Sequence, residues 1–173
     1  KVRQAMNYAI DMDGILEAIY GGNATRLPGA LMPYSFGANP NLKPYEYNPE
    51  KAKQLLKEAG VTKLQVVIDT EPKRQNVALA MAAMLQEIGI DAQVRNWEWG
   101  VLESEIEKGT RQMYMTEWGD SWLDPVGFLN PKFRTNDRAN WSHYSNERVD
   151  ELLTRAERII DPTIREEIYH EVE

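Results

Sequence analysis

The feature that most constrains the fold is a regular alternation of strand patterns and helix patterns in the middle of the chain. Apolar and polar residues alternate, as they do in strands, in residues 64–68, 90–94 and 113–118. Between these segments, apolar residues recur at helical spacing. Because strands that are joined by helices run parallel, the sequence predicts an α/β fold with a mixed, mostly parallel sheet flanked by helices.

Helices are also predicted on both sides of this region. A capping side chain stands before an apolar helical run at Asn48, Asn146 and Asp161, and a proline follows Asn48 and Asp161. Near the amino terminus, residues 2–10 and a second short segment from about Asp13 repeat apolar residues at helical spacing. The sheet is therefore expected to be embedded among several amphipathic helices.

Two long connections show no steady period. Residues 23–47 contain four prolines and two glycines, yet they are too rich in Tyr, Leu and Met for a disordered linker. Residues 130–146 form another irregular, aromatic-bearing connection. We expect long irregular loops that pack on the rest of the protein.

Composition and charge exclude several functional classes. The chain has 173 residues, no cysteine and a formal net charge of -7, with its basic residues scattered among acidic ones. Nucleic acid is therefore not expected as a partner, and neither disulfides nor a zinc–thiolate cluster can form. No apolar run approaches the roughly 18 residues of a membrane helix. The first predicted helix starts without a cap and the last one ends without a cap, so we expect a piece of a longer protein.

The segment "TEWGDSWLDP" directly follows the third predicted strand. Trp118 and Trp122 offer flat surfaces, while Asp120 and Asp124 offer charge in a loop that contains Gly119. Ligands bind at the carboxyl ends of strands in open parallel sheets, and such walls with a few polar groups are typical of a ligand pocket. The alternative is an ordinary strand exit with core tryptophans and solvated acids.

Five segments together carry a resemblance to a known family: "VRQAMNYAID", "YNPEKAKQLLKEAG", "MLQEIGIDAQVRNWEW", "WGDSWLDP" and "HYSNERVDELL" with the following "DPTIREEIY". In this order they resemble the carboxy-terminal lobe of family 5 solute-binding proteins, the dipeptide- and oligopeptide-binding receptors of bacterial ABC importers. The resemblance implies that residues 1–173 form a single periplasmic-binding-protein-like lobe of a longer, two-lobed receptor. Such a receptor lies in the periplasm or outside the cell, in some cases on a lipid anchor, and delivers its ligand to ABC permease subunits.

The resemblance also implies which loop residues bind the ligand, and the loop departs from the family pattern at one of them. Alignment on Trp118 and Pro125 places Ser121 where peptide-binding members have the aspartate that binds the peptide ammonium. A serine forfeits the extra strength of a charge-assisted hydrogen bond, on the order of a kcal/mol. Either the neighbouring Asp120 does the same work, or the ligand is a modified peptide, a sugar conjugate or another small polar solute. Trp122 matches the family's aromatic position.

Three further residues are candidate ligand contacts. Arg74 lies near the place where some peptide receptors have a carboxylate-binding arginine, and its alternative role is that of a solvated helix-end base. Strand alternation would place Trp97 and Trp99 on the same face. One of the two is expected to pack on the neighbouring helix, and Trp99 is the candidate for lining the pocket. Trp141 precedes a capped helix, where it either reaches the cleft or has a structural role.

Other functional classes find less support in the sequence. A glycosidase would require Asp120 and Asp124 as an acid and base pair, but acids four residues apart in a loop are common. No nucleophile elbow or Walker loop is present, so we expect no enzyme and no cofactor. His143 and His170 have no companion at metal spacing, so no metal site is predicted. The remaining alternative is an interaction module in which residues 23–47 bind a protein partner.

Overall fold

The computed structural model describes residues 1–119 and 123–173. The chain divides into two compact units. The first unit consists of Lys1–Arg26 and Tyr45–Thr116, and the second unit consists of Leu27–Pro44 and Glu117–Glu173. Each unit is built from segments that are distant in sequence, because the irregular residues 27–44 leave the first unit and join the second.

The first unit contains all three strands of the described chain and most of its helices. Its elements are α1 (Val2–Ala9), α2 (Met12–Tyr20), α3 (Pro49–Glu58), β1 (Leu64–Thr70), α4 (Gln75–Glu87), β2 (Ile90–Asn96), α5 (Trp99–Glu107) and β3 (Met113–Tyr114). A single 3-10 turn, Pro72–Arg74, connects β1 to α4. The second unit contains α6 (Pro125–Phe133), α7 (Glu147–Ala156) and α8 (Pro162–Val172).

The three strands form one parallel sheet in the order β2-β1-β3. In the register of β1 and β2, Leu64 lies opposite Ile90 and Ile68 opposite Val94. The central strand β1 is the most buried, because it has a strand on each side. Leu85 and Ala82 of α4 pack in the same apolar core as Ile68 and Ile90. The predicted parallel α/β arrangement is confirmed.

Helix boundaries follow the capping signals of the sequence. The side-chain oxygen of Asn48 accepts a hydrogen bond from the Lys51 amide at 3.0 Å, and Pro49 begins α3. Asn146 caps α7 and Asp161 caps α8 in the same manner. Helix α2 ends at Gly21, whose φ of 57° is a left-handed conformation that glycine adopts at no steric cost.

The second unit has its own apolar core. Leu129 of α6, Leu152 and Leu153 of α7 and Tyr169 of α8 are fully buried, and Leu31 from the irregular residues 27–44 packs with them. This loop approaches α8 so closely that a side chain on Gly37 would meet the Tyr169 ring at 2.8 Å. The irregular connection is therefore packed, as its apolar composition predicts.

Three predictions about element boundaries are wrong. Strand β3 spans only Met113–Tyr114 instead of residues 113–118. Its partner β1 ends at Thr70, and the last hydrogen bond between the two strands joins the Met115 amide to the Asp69 carbonyl, so the residues after Met115 have no strand to pair with. Strand β2 ends before Trp97, so Trp97 and Trp99 do not share a strand face; Trp99 begins α5, which Glu98 caps. Helix α6 lies where no helix was predicted.

In the described part of the chain, no helix combines the length and the apolar character that crossing a membrane requires.

Candidate ligand-binding site

A cavity of about 410 Å³ lies in the second unit beside Trp118. One wall comes from the irregular loop, through Leu27, Ala30, Leu31, Met32 and Ser35. The other wall comes from the segment after β3 and the start of α6, through Trp118, Gly119, Leu123, Asp124, Pro125 and Phe128. Two of the residues predicted to bind ligand, Trp118 and Asp124, thus line one cavity.

Asp124 positions the start of α6. One of its carboxylate oxygens accepts a hydrogen bond from the Val126 amide at 3.0 Å, and Pro125 occupies the first helical position. The Arg165 guanidinium of α8 donates to both carboxylate oxygens at 2.9 Å and also to the Tyr169 hydroxyl at 3.0 Å. Because both oxygens already have partners, Asp124 is first of all a structural anchor of this wall, and its role as a ligand residue stays a prediction.

Trp118 is held among aromatic and cationic side chains. Its indole nitrogen donates to the Gly127 carbonyl at 3.4 Å, and its ring meets the Trp141 ring edge-on with 6.2 Å between the centroids. The Lys132 ammonium lies 4.4 Å from the Trp118 centroid and 3.9 Å from that of Trp141. The structure therefore brings Trp118 and Trp141 together, and Lys132 joins them through cation–π contacts.

Lys132 is half-buried between the two indole rings. Burial lowers the pKa of its ammonium to about 8, because the charged form loses hydration. The negative faces of the two rings partly compensate by favouring the charged form. Lys132 could not be predicted as a neighbour of the two tryptophans, because it stands in a segment where no helix was predicted.

A buried asparagine shapes the turn that presents Trp141. The Asn140 amide nitrogen donates to the carbonyls of Arg134 at 3.0 Å and Tyr144 at 2.6 Å, while its oxygen accepts from the Tyr144 amide at 3.0 Å. His143, in the same turn, has a φ of 52°. Asparagine often organises turns through such side-chain bonds to the backbone, and this signal was available in the sequence.

The first unit contains the two other candidate residues, Arg74 and Trp99. Arg74 ends the 3-10 turn after β1 and forms an ion pair with Glu71 of the same turn. Trp99 is half-buried at the first position of α5. Both residues lie in a different unit from Trp118, Asp124 and Trp141.

Asp69, a buried carboxylate near the end of the central strand, was also not predicted from the sequence. Asp69 is only 1% exposed and accepts hydrogen bonds from Arg95 Nε at 2.6 Å, from a second Arg95 nitrogen at 3.1 Å and from the Trp97 indole at 2.6 Å. The Asp69 hydrogen bond raises the pKa of the Arg95 guanidinium, which also stacks on Trp97. Trp97 therefore links the end of β2 to the end of β1 through its hydrogen bond to Asp69.

Asp120, Ser121 and Trp122, which the sequence analysis places at the centre of the ligand loop, lie outside the described residues. Within the described ranges, no group of three or more His, Asp or Glu side chains is placed to hold a metal ion.

The segment that follows β3 supplies one wall of this cavity, and a concave, largely apolar site of this kind is typical of small-molecule binding. The family model of bacterial extracellular solute-binding proteins, family 5 (middle), matches residues 1–140. The chain belongs to this family of solute-binding proteins. The resemblance carried by the five sequence segments is thereby confirmed.

The similar proteins are binding proteins of several kinds. The dipeptide-binding protein of Escherichia coli (strain K12) is 31% identical over 185 residues, which cover 100% of this chain and 34% of that protein. Heme-binding protein A of Haemophilus influenzae is 31% identical over 183 residues, with the same coverage of each chain. The chain spans about a third of the length of these relatives.

Solved structures agree with the fold. HbpA2 from Haemophilus parasuis superposes with a TM-score of 0.94 at 30% identity, covering 99% of this chain and 36% of that one. The periplasmic binding protein DppA from Helicobacter pylori, in complex with the peptide STSA, gives a TM-score of 0.91 at 32% identity, covering 98% and 35% of the two chains. The predicted fold class is confirmed, whereas the assignment of residues 1–173 to one carboxy-terminal lobe stays a prediction.

Proposed function

We propose that this chain is part of the substrate-binding component of an ABC importer, which captures peptides reversibly between two lobes and delivers them to permease subunits. The observation that carries the proposal is the cavity beside Trp118, which the structure forms next to the loop that the sequence singles out. Relatives that bind a dipeptide, glutathione or heme support a receptor for small solutes.

Capture of this kind requires no chemical step. A ligand that leaves water needs a partner for each of its polar groups, either on the protein or on retained water. Aromatic walls such as Trp118 and Trp141 add contact area, while main-chain groups near strand ends bind many peptides equally. Ligand binding shifts an open receptor toward its closed state, because contacts from both lobes exist only in the closed state.

The location follows from the same proposal. A receptor of an importer acts outside the cytoplasmic membrane, in the periplasm or at the cell surface, and a lipid anchor would hold it near its permease.

Asp120, Ser121 and Trp122 are proposed to contact the ligand together with Trp118, and Arg74 and Trp99 are secondary candidates from the first unit.

A second candidate ligand is a non-peptide solute with a large apolar ring. The apolar lining of the cavity favours it over a sugar conjugate, and heme-binding protein A is as similar to this chain as the dipeptide-binding protein is. The absence of an aspartate at position 121 points in the same direction, since a non-peptide ligand has no terminal ammonium.

The experiment that tests the function is native mass spectrometry of the full-length receptor, purified without unfolding, followed by identification of the released ligand. We expect a mixture of short peptides. Release of one non-peptide solute would contradict the peptide proposal and support the second candidate. The same receptor after unfolding, dialysis and refolding is the control, and it should release nothing.

A further inference from the structure

Two of the three polar side chains that line the described cavity already have hydrogen-bond partners within the protein. Both Asp124 carboxylate oxygens accept hydrogen bonds from Arg165, and the Trp118 indole nitrogen donates to the Gly127 carbonyl. The other described lining side chains are apolar, apart from that of Ser35. A polar or charged ligand group placed here would lose its hydration with little in return, which is unfavourable.

The opening of the cavity carries exposed apolar side chains. Leu27 is 43% exposed, Met32 57% and Leu123 74%. Leu27 and Met32 belong to one segment and Leu123 to another that is distant in sequence, yet all three line the same cavity. Apolar surface gathered around a concave site is typical of a place where an apolar partner binds.

Leu123 is also held in an unfavourable backbone conformation. Its φ of 56° lies in the left-handed region, which disfavours a leucine and suits glycine or asparagine. Backbone strain of this kind is concentrated at ligand sites. Residue 123 stands within the predicted ligand segment, between Trp122 and Asp124, so this strained, exposed leucine lies where a ligand would contact it.

We propose that this cavity binds an apolar group of the ligand, about the size of a leucine or phenylalanine side chain, and that Leu123 and Met32 supply the contacts that select it. The cavity volume of about 410 Å³ lies within the range for small-molecule sites, so one such group fits with room for neighbouring atoms of the ligand. This inference rests on the proposed function and narrows its substrate class to ligands that carry an apolar side chain or ring.

The test compares matched tripeptides on the full-length receptor by titration calorimetry. The probes are Ala-Ala-Ala, three peptides with leucine at one position each, and three with the nearly isosteric asparagine instead. The cavity variant combines Leu123→Asn with Met32→Gln; asparagine tolerates the backbone at position 123, so the fold is retained. Ile160→Asn is the control, since Ile160 is 95% exposed in the same unit and does not line the cavity.

We expect at least one leucine peptide to bind about 10- to 100-fold more tightly than its asparagine counterpart, because burial of a leucine side chain has that effect on a dissociation constant. The preference should fall by about tenfold in the cavity variant and stay unchanged in Ile160→Asn. Equal binding of the leucine and asparagine peptides, or a preference that survives in the cavity variant, overturns the inference and leaves peptide binding intact.

A second probe separates this inference from the proposed function. The neutral dye N-phenyl-1-naphthylamine fluoresces when it binds an apolar site, and it requires no peptide recognition. If no tripeptide binds but the cavity variant alone binds the dye about tenfold more weakly, the peptide function fails and the apolar site stands. If no tripeptide binds and the dye binds wild type, the cavity variant and Ile160→Asn equally, the apolar site is refuted together with the peptide function.

Discussion

At the scale of single residues, Lys132 shows how a charge is held beside a candidate ligand wall. Its ammonium contacts the rings of Trp118 and Trp141, while burial lowers its pKa to about 8. An unfolded lysine releases its proton near 10.4. Between these two values the unfolded chain binds more protons than the folded protein, so stability rises with pH in that interval.

The first prediction uses the variant Lys132→Met, which keeps the side-chain length and removes the charge. Relative to this variant, the wild type should gain about 1 kcal/mol of unfolding free energy between about pH 7 and about pH 10, a small gain because the ammonium is partly solvated. Urea unfolding at the two pH values measures it. Lys43→Met, at an exposed site, is the control, and a difference between wild type and Lys132→Met that does not change with pH would contradict the prediction.

The second prediction concerns the anchor at Asp124. Asp124→Ala removes both the cap of α6 and the ion pair with Arg165, so we expect a loss of about 1 to 3 kcal/mol of unfolding free energy. Asp124→Asn keeps an efficient cap and loses only the charge, so its loss should be smaller. Thermal unfolding of the two variants distinguishes these contributions. A stability of Asp124→Ala equal to that of wild type would show that neither contact matters.

At the scale of elements, the missed helix α6 is instructive. It contains Gly127 and Pro131 in its interior, which disfavour a helix by local propensity. Its start nevertheless carries the same signal, a capping side chain followed by proline, that correctly predicts α3 and α8. The short helix forms because Leu129 and its neighbours are buried against α7 and α8, which propensity cannot show.

The third prediction tests the turn between α6 and α7. Asn140→Ala removes both amide donors and the oxygen that accepts from the Tyr144 amide, and Asn140 itself is buried. We expect a loss of about 2 to 3 kcal/mol of unfolding free energy and a changed tryptophan fluorescence, because Trp141 follows directly. The matched control is Asn41→Ala, because Asn41 is exposed in the same unit and its backbone is not left-handed. Unchanged fluorescence in Asn140→Ala would show that this turn does not position Trp141.

At the scale of the whole molecule, the chain accounts for about a third of the length of its relatives. The proposed receptor therefore contains further contacts that this chain does not supply. Because ligand affinity in a two-lobed receptor depends on contacts from both lobes, part of the binding free energy must be lost when one part is studied alone.

The fourth prediction is that this chain, expressed by itself, binds the ligand of the full-length receptor at least about tenfold more weakly. Circular dichroism and cooperative unfolding first establish that the isolated chain is folded. Titration calorimetry with the same ligand then compares the two proteins. Equal affinities would contradict capture between two lobes and would place the complete site within this chain.

Elements with local signals can be predicted from the amino-acid sequence. Alternating apolar residues and capping pairs predict β1, β2, α3, α7 and α8 and the parallel sheet, because periodicity and capping depend on neighbouring residues alone. The length of β3, the existence of α6 and the cavity beside Trp118 could not be predicted in this way. These features depend on contacts between segments that are distant in sequence. Examples are the ion pair of Asp124 with Arg165, the contacts of Lys132 with Trp118 and Trp141, and the packing of Leu31 on the helices. No local sequence pattern predicts such contacts.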